Sequence, residues 1–184
     1  MKPYMGENIY IRFIKESDAY SLLSLFQRNQ DFFNQHSPVK KDYSDYTLKK
    51  QRNIIRKWQK EREADKLYSF GIFLIETQEL IGHISLRAVK RGPLQSCEIG
   101  YVLDQHHNGK GYMTEAIRLV VDFAFFELQL HRIVAEVMPA NIGSIRALEK
   151  AGFKREGIAR KLLLMDGEWE DHVVLSILPD DLAH

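Results

Sequence analysis

The sequence predicts a mixed α/β domain of the α+β type, in which a largely antiparallel sheet of about seven strands carries helices on both faces. Two observations predict this fold. Several short segments alternate apolar and polar residues, as half-buried strands do, and three of them follow one another closely in mid-chain. Other segments repeat their apolar residues every three to four positions, as amphipathic helices do. The predicted order is strand, two helices, three strands, helix, strand, helix and two strands.

The first predicted strand covers residues 8–14, and two helices follow it. Ser17 or Asp18 can cap the first helix, whose apolar residues lie on one face. The second helix begins at Asp45 or Thr47, and many residues on its polar side are basic. Such a run is typical of a solvated helix face, and the formal net charge of the chain is only +1. We therefore expect no direct binding of nucleic acid.

The three consecutive strands are predicted at 68–75, 80–88 and 95–103, joined by short polar turns into an antiparallel meander. After Gly111 the apolar spacing changes from two to 3.6 residues, which predicts a central helix. The remaining elements are a strand at 132–137, a short helix at 142–151 that Gly152 stops, and two strands near 153–163 and 169–177.

The length of 184 residues favours a single domain over 1–184, because no repeat or linker divides the chain. Charged residues interrupt every apolar stretch well short of the roughly 20 residues that cross a bilayer, so no membrane partner is expected. The amino-terminal residues lack the apolar region of a secretory signal. A lone Cys97 cannot form an internal disulfide. We therefore expect a cytoplasmic protein.

The most informative stretch, Glu98 to Ala116, reads as a buried strand, a polar glycine loop and a helix. Gly109 and Gly111 can adopt positive φ, and the free N–H groups of the following helix turn attract anions. A glycine pair alone is equally typical of a tight turn, but this chain order favours a phosphate site. A Rossmann loop needs a third small residue where Thr114 stands, and a Walker A loop needs Ser or Thr where Gly111 follows Gly109-Lys110. Neither of these nucleotide-binding loops therefore fits the sequence.

This stretch resembles motif A of the GCN5-related N-acetyltransferase (GNAT) superfamily, whose pattern is Gln/Arg-x-x-Gly-x-Gly/Ala. Residues 11–19 resemble the family's first strand and helix, and residues 141–153 resemble its motif B. Glu98-Ile99-Gly100-Tyr101 and the Asn-x-x-Ser spacing are most similar to the branch that acetylates ribosomal-protein N-termini, the RimJ/RimL-like enzymes. The resemblance covers nearly the whole chain. One departure is His106, which stands where the pattern has Gln or Arg.

The resemblance implies the GNAT fold, acetyl-CoA as co-substrate and a possible homodimer. It implies that the backbone of Tyr101, Val102 and Leu103 pairs with the pantetheine arm, and that the Asn141 side chain meets a pantetheine amide. The residues implied to hold the diphosphate through their amides are Gly109, Lys110, Gly111, Tyr112, Met113 and Thr114. Lys110, Arg118 and Arg146 are candidates for the ribose phosphate. No metal is expected, because the histidines lack the spacing of a zinc site.

Acetyl transfer to an amine needs a base for the amine and an acid for the leaving thiolate. Glu98 is the predicted general base, acting through a water, because strand alternation places it on one face with Gly100 and Val102. An exposed or ion-paired carboxylate is the alternative interpretation of Glu98. Ser144 is the predicted acid, and helix capping is the alternative role for both Ser144 and Asn141.

Three functional hypotheses follow. The first is acetylation of the N-terminal α-amine of a protein, perhaps ribosomal by resemblance; an α-amine, with a pKa near ~8 against ~10.4 for lysine, suits a mild carboxylate base. The second is acetylation of a small amine such as a polyamine, an amino acid or an aminoglycoside. The third is a non-catalytic acyl-CoA sensor, which the joint presence of Glu98, Asn141 and Ser144 disfavours.

Overall fold

A computed structural model describes residues 2–182, which form one mixed sheet with helices on both faces. The sheet has eight strands in the order β1-β2-β3-β4-β5-β6-β8-β7. The strands are β1 (Tyr4–Met5), β2 (Ile9–Phe13), β3 (Tyr68–Leu74), β4 (Leu80–Lys90), β5 (Ser96–Leu103), β6 (Arg132–Val137), β7 (Lys154–Met165) and β8 (Glu168–Ile177). The predicted fold class is confirmed. The eighth strand is β1, a two-residue edge strand too short to show alternation.

Within residues 2–182, five α-helices connect these strands: α1 (Ala19–Arg28), α2 (Gln30–Asn34), α3 (Leu48–Glu63), α4 (Tyr112–Asp122) and α5 (Ile142–Lys150). Four of them lie where the sequence predicts helices, and α2 is an additional short turn after α1. Thr47 caps α3 by accepting the N–H of Lys50. Asp18, predicted as a cap of α1, instead accepts two hydrogen bonds from the Arg12 guanidinium and makes no cap bond to α1.

The two faces of the sheet are covered by different helices. Buried side chains of α4 and α5, including Ile117 and Leu148, join the larger apolar cluster. Helices α1 and α3 pack on the opposite face through Leu22, Leu25 and Ile55. The central strands β3 and β4 are therefore covered on both sides, whereas β5 is buried against α4 and α5 and partly exposed on the face that carries Glu98.

The sheet opens where β5 runs parallel to β6. These strands pair from Ser96 opposite Arg132 only as far as Glu98 opposite Val134. Beyond that point β6 continues alongside β8, and residues 99–103 of β5 pair only with β4. The backbone groups of 99–103 that face away from β4 thus border a gap that another extended chain can fill.

Candidate active site

The glycine loop leads directly from this gap into α4. The strand β5 ends at Leu103, a single 3-10 turn spans Gln105–His107, and α4 begins at Tyr112. Gly109 has φ +78° and Gly111 has φ +83°, so both adopt the left-handed conformation that glycine tolerates without strain. A Cβ atom added to either glycine would meet no other atom within 4 Å. The loop therefore leaves open space beside its backbone.

The first turn of α4 presents its N–H groups to that space. Gly111 is the N-cap residue and offers no side chain to bond them. The Glu115 N–H closes the first helical turn on the Gly111 carbonyl at 3.1 Å, so the three N–H groups before it have no partner within the helix. The Glu115 carboxylate accepts instead from the backbone of Asn8 and Ile9 and ties α4 to β2. Unpaired donors with the helix dipole behind them fit a diphosphate anion.

Ser144 and Tyr101 meet on the face covered by α4 and α5. The Tyr101 hydroxyl lies 2.7 Å from Ser144 Oγ. Asn141 accepts the backbone N–H of Ser144 at 3.3 Å, so Asn141 caps α5 as the alternative interpretation predicts. Burial raises the pKa of the Tyr101 phenol, and the hydrogen bond to Ser144 lowers it by less. The phenol therefore stays protonated at neutral pH.

Glu98 lies on the other face of β5. Its carboxylate is 3.4 Å from Arg87 Nε on β4, its cross-strand neighbour, so the ion pair of the alternative interpretation is present. Both side chains are partly exposed, and an exposed pair of this kind holds a carboxylate only weakly. Glu98 is also the last β5 residue that pairs with β6. Glu98 therefore lies where the gap begins, and the side chain of Tyr101 lies on the opposite face of β5.

Comparison with known proteins decides the family. The model of the acetyltransferase (GNAT) domain family matches residues 8–154. The chain belongs to the GNAT acetyltransferase family. It is therefore an acetyl-CoA-dependent N-acetyltransferase, as the motifs predict.

Named relatives span almost the full length of this acetyltransferase. YjcK of Bacillus subtilis, named a probable N-acetyltransferase, is 54% identical, with 96% of this chain and 97% of the relative covered. The [ribosomal protein uS5]-alanine N-acetyltransferase of Escherichia coli is 31% identical, with 95% and 90% covered. The crystal structure of ribosomal-protein-S5-alanine acetyltransferase from Vibrio fischeri matches all of both chains with a TM-score of 0.90 and 29% identity.

A ligand-bound relative is also similar. Mycobacterium smegmatis RimJ, solved in complex with CoA-disulfide, is 26% identical with a TM-score of 0.90, and the match covers 100% of this acetyltransferase and 93% of that chain. Together these relatives relate the chain to enzymes that acetylate ribosomal proteins.

The charged candidates of this acetyltransferase differ in their availability. Lys110 and Arg146 are exposed, and neither forms an ion pair with any residue of the 2–182 range. Arg118 instead donates to the Lys150 carbonyl at 2.7 Å and so holds the end of α5. Of these three candidates for the ribose phosphate, Arg118 is therefore the one already engaged. His106, in place of the family's Gln or Arg, is exposed beside the loop.

His83 has hydrogen-bonding and stacking partners within the fold. His83 on β4 lies 2.6 Å from Ser69 Oγ and stacks on Trp58, and burial lowers the pKa of its imidazole to about 4. Residues 2–182 contain no group of three His, Cys, Asp or Glu side chains placed to hold a metal ion. Within the same residues, no helix combines the length and the apolar character needed to cross a bilayer.

Proposed function

We propose that this enzyme acetylates the N-terminal α-amino group of a protein, with a ribosomal protein as the first acceptor to test. The observation that carries the proposal is the gap between β5 and β6, which runs straight into an open glycine loop at the start of α4. The nearly full-length similarity to the uS5-alanine enzyme of E. coli supports the acceptor class.

The gap and the loop can hold acetyl-CoA in two ways. The unpaired edge of Tyr101, Val102 and Leu103 offers backbone groups to the extended pantetheine arm, as a missing strand would use them. The amides from Gly109 to Thr114 face the diphosphate, and the exposed side chains of Lys110 and Arg146 add positive charge nearby. When bound, acetyl-CoA supplies an activated acetyl group, and the thiolate of CoA is the leaving group.

The two proton-transfer roles fall to opposite faces of β5. Glu98, on the face of α1 and α3, takes the proton that the acceptor amine loses, through a water. Ser144, on the face of α5, gives its hydroxyl proton to the leaving sulfur. The phenol of Tyr101, 2.7 Å away and kept protonated by burial, can resupply that proton. A backbone N–H along the unpaired edge of β5 bonds the carbonyl oxygen as charge develops on it.

The chemistry of the base favours an α-amine. An α-ammonium has a pKa near ~8, so a substantial fraction is neutral near pH 7.5, whereas lysine with a pKa near ~10.4 is almost entirely charged. Glu98 is a partly exposed carboxylate paired with Arg87, and carboxylates as a class are weak bases. An acceptor that loses its proton easily therefore suits Glu98 better than a lysine or a polyamine does.

An acceptor screen tests the proposal. Peptides with the N-terminal sequences of ribosomal proteins are compared with the same peptides carrying a blocked α-amine and a free lysine, and with spermidine, free amino acids and an aminoglycoside. Release of CoA and the mass of the product are measured. We expect acetylation of the free α-amine peptides only. Preferential acetylation of small amines, or binding of acetyl-CoA with no release above background, would overturn the proposed acceptor class.

A further inference from the structure

The end of α1 holds the segment that connects β5 with the glycine loop. The Arg28 guanidinium donates from Nε to Asp104 Oδ2 at 2.6 Å. The neighbouring Asn29 accepts the backbone N–H of Gln105 on its Oδ1 at 3.0 Å. Asp104 and Gln105 directly follow β5, so α1, which covers the opposite face from α4, contacts the start of the loop.

Asp104 is a buried charge with a complete set of partners. It is 2% exposed, and its other oxygen accepts the backbone N–H of His106 at 3.1 Å. Burial acts to raise the pKa of this carboxyl, but the Arg28 guanidinium and the His106 amide together hold it below its usual value. The carboxylate is therefore charged at neutral pH. Its burial depends on the ion pair with Arg28, because an unpaired buried charge destabilises the folded protein.

Asn29 is equally restrained. It is 1% exposed, and its Nδ2 donates to the Leu25 carbonyl one helical turn earlier at 2.9 Å. That bond fixes the orientation of the amide, so Oδ1 points at Gln105. Asn29, which is buried, and Arg28, whose side chain is 33% exposed, thus hold consecutive residues at the start of the loop.

The glycines themselves have no such support. Gly109 and Gly111 lie in open space, and the residues between them and the 3-10 turn are exposed. The start of the loop is therefore held at residues 104–107, and its end is held where α4 packs on the sheet. We propose that Arg28 and Asn29 are positioning residues for the diphosphate-binding loop, acting through Asp104 and Gln105 without touching the ligand. This inference rests on the assignment of the loop to the diphosphate.

A matched ion pair separates positioning from general stability. Arg12 and Asp18 form a partly buried bidentate pair at 2.7 and 2.8 Å, which holds the approach to the other end of α1. It contacts no loop residue. The variants Arg28→Met and Arg12→Met therefore remove the same type of group near the same helix, and only the first disturbs the loop.

The experiment measures acetyl-CoA binding by calorimetry and turnover with S-acetylpantetheine, which lacks the diphosphate. We expect Arg28→Met to weaken acetyl-CoA binding by about tenfold, as displacement of a preorganised binding loop does. The KM for S-acetylpantetheine should stay unchanged in the same variant. Arg12→Met should leave both quantities within about twofold of the wild type. If Arg28→Met does not fold, Asp104→Asn tests the same link, since it keeps the His106 bond and weakens the ion pair.

Two results would overturn the inference. One is unchanged acetyl-CoA affinity in a folded Arg28→Met or Asp104→Asn variant. The other is an equal loss for acetyl-CoA and S-acetylpantetheine, which would indicate a general distortion of the site. If the wild-type protein binds S-acetylpantetheine as tightly as acetyl-CoA, the loop does not bind the diphosphate. This result is distinguishable from a failure of the positioning role, because it is measured on the wild type without any variant.

Discussion

Replacing Gly111 with alanine separates the backbone role of the loop from its role in binding. Gly111 has φ +83°, and an alanine in the left-handed region costs about 1–2 kcal/mol. No atom lies within 4 Å of the added Cβ, so no steric clash adds to this cost in the free protein. For a chain of this size each 1 kcal/mol lowers the Tm by about 2–4 °C, so we expect a fall of about 2–8 °C.

Acetyl-CoA binding should suffer in addition to stability. The new methyl group stands in the open space beside the first-turn N–H groups of α4, where the diphosphate binds in our proposal. We expect the Kd measured by calorimetry to rise at least about tenfold, which corresponds to about 1.4 kcal/mol. Gly92→Ala is the matched control, because Gly92 has φ +65° and open surroundings in the turn between β4 and β5.

The two variants should therefore lose similar stability and differ in affinity. Thermal unfolding measures the first quantity and calorimetry the second. If Gly111→Ala binds acetyl-CoA as tightly as Gly92→Ala does, the loop does not hold the diphosphate and the reasoning is refuted.

Three further predictions concern the acid, the base and a titrating surface pair. Glu98→Gln should lower kcat and leave the acetyl-CoA Kd nearly unchanged. Ser144→Ala should lower kcat by about 10²-fold or more, and Tyr101→Phe by less, because Tyr101 acts through Ser144. Arg132 and Ser176 hold the pKa of Glu156 down at about 2, so its contribution to stability is complete above the unfolded pKa near ~4.3 and is lost as the pH falls towards 2.

Each of these predictions has a result that contradicts it. Unchanged turnover in Glu98→Gln would remove Glu98 from the mechanism. Unchanged kcat in Ser144→Ala would leave Ser144 without a role in proton transfer, with only its backbone N–H bonded to the capping Asn141. The Tm of Glu156→Gln should fall less than that of the wild type between pH 4.5 and 2; parallel curves would show that the pair with Arg132 contributes nothing.

The elements that the sequence predicted well are those with a strong local signal. The polar glycine loop after Leu103 separates the strand pattern from the 3.6-residue period that begins after Gly111, so α4 was placed correctly. Asp166 and Gly167 both have positive φ, as a two-residue hairpin turn requires, and they join β7 to β8 at the predicted turn. In contrast, β1 has two residues and α2 five, which is too few for either period to be visible.

Much of the site geometry depends on contacts between residues far apart in the sequence, which no local sequence pattern predicts. The hydrogen bond between Tyr101 and Ser144 joins residues 43 positions apart, and that between Arg28 and Asp104 joins residues 76 apart. Sequence alternation placed Tyr101 on the face opposite Glu98, but only packing of α5 on that face shows what its hydroxyl meets. The capping role of Asn141 could be predicted from spacing alone, because a cap bonds a backbone N–H within the first turn of its own helix.

The most direct test of the central claim is a crystal structure of the protein with CoA. The account predicts that the diphosphate oxygens lie within about 3.2 Å of backbone N–H groups between Gly109 and Thr114. It also predicts that the pantetheine arm extends along Tyr101 to Leu103 in the gap between β5 and β6. CoA bound elsewhere, with the loop and the gap empty at saturating ligand, would contradict it.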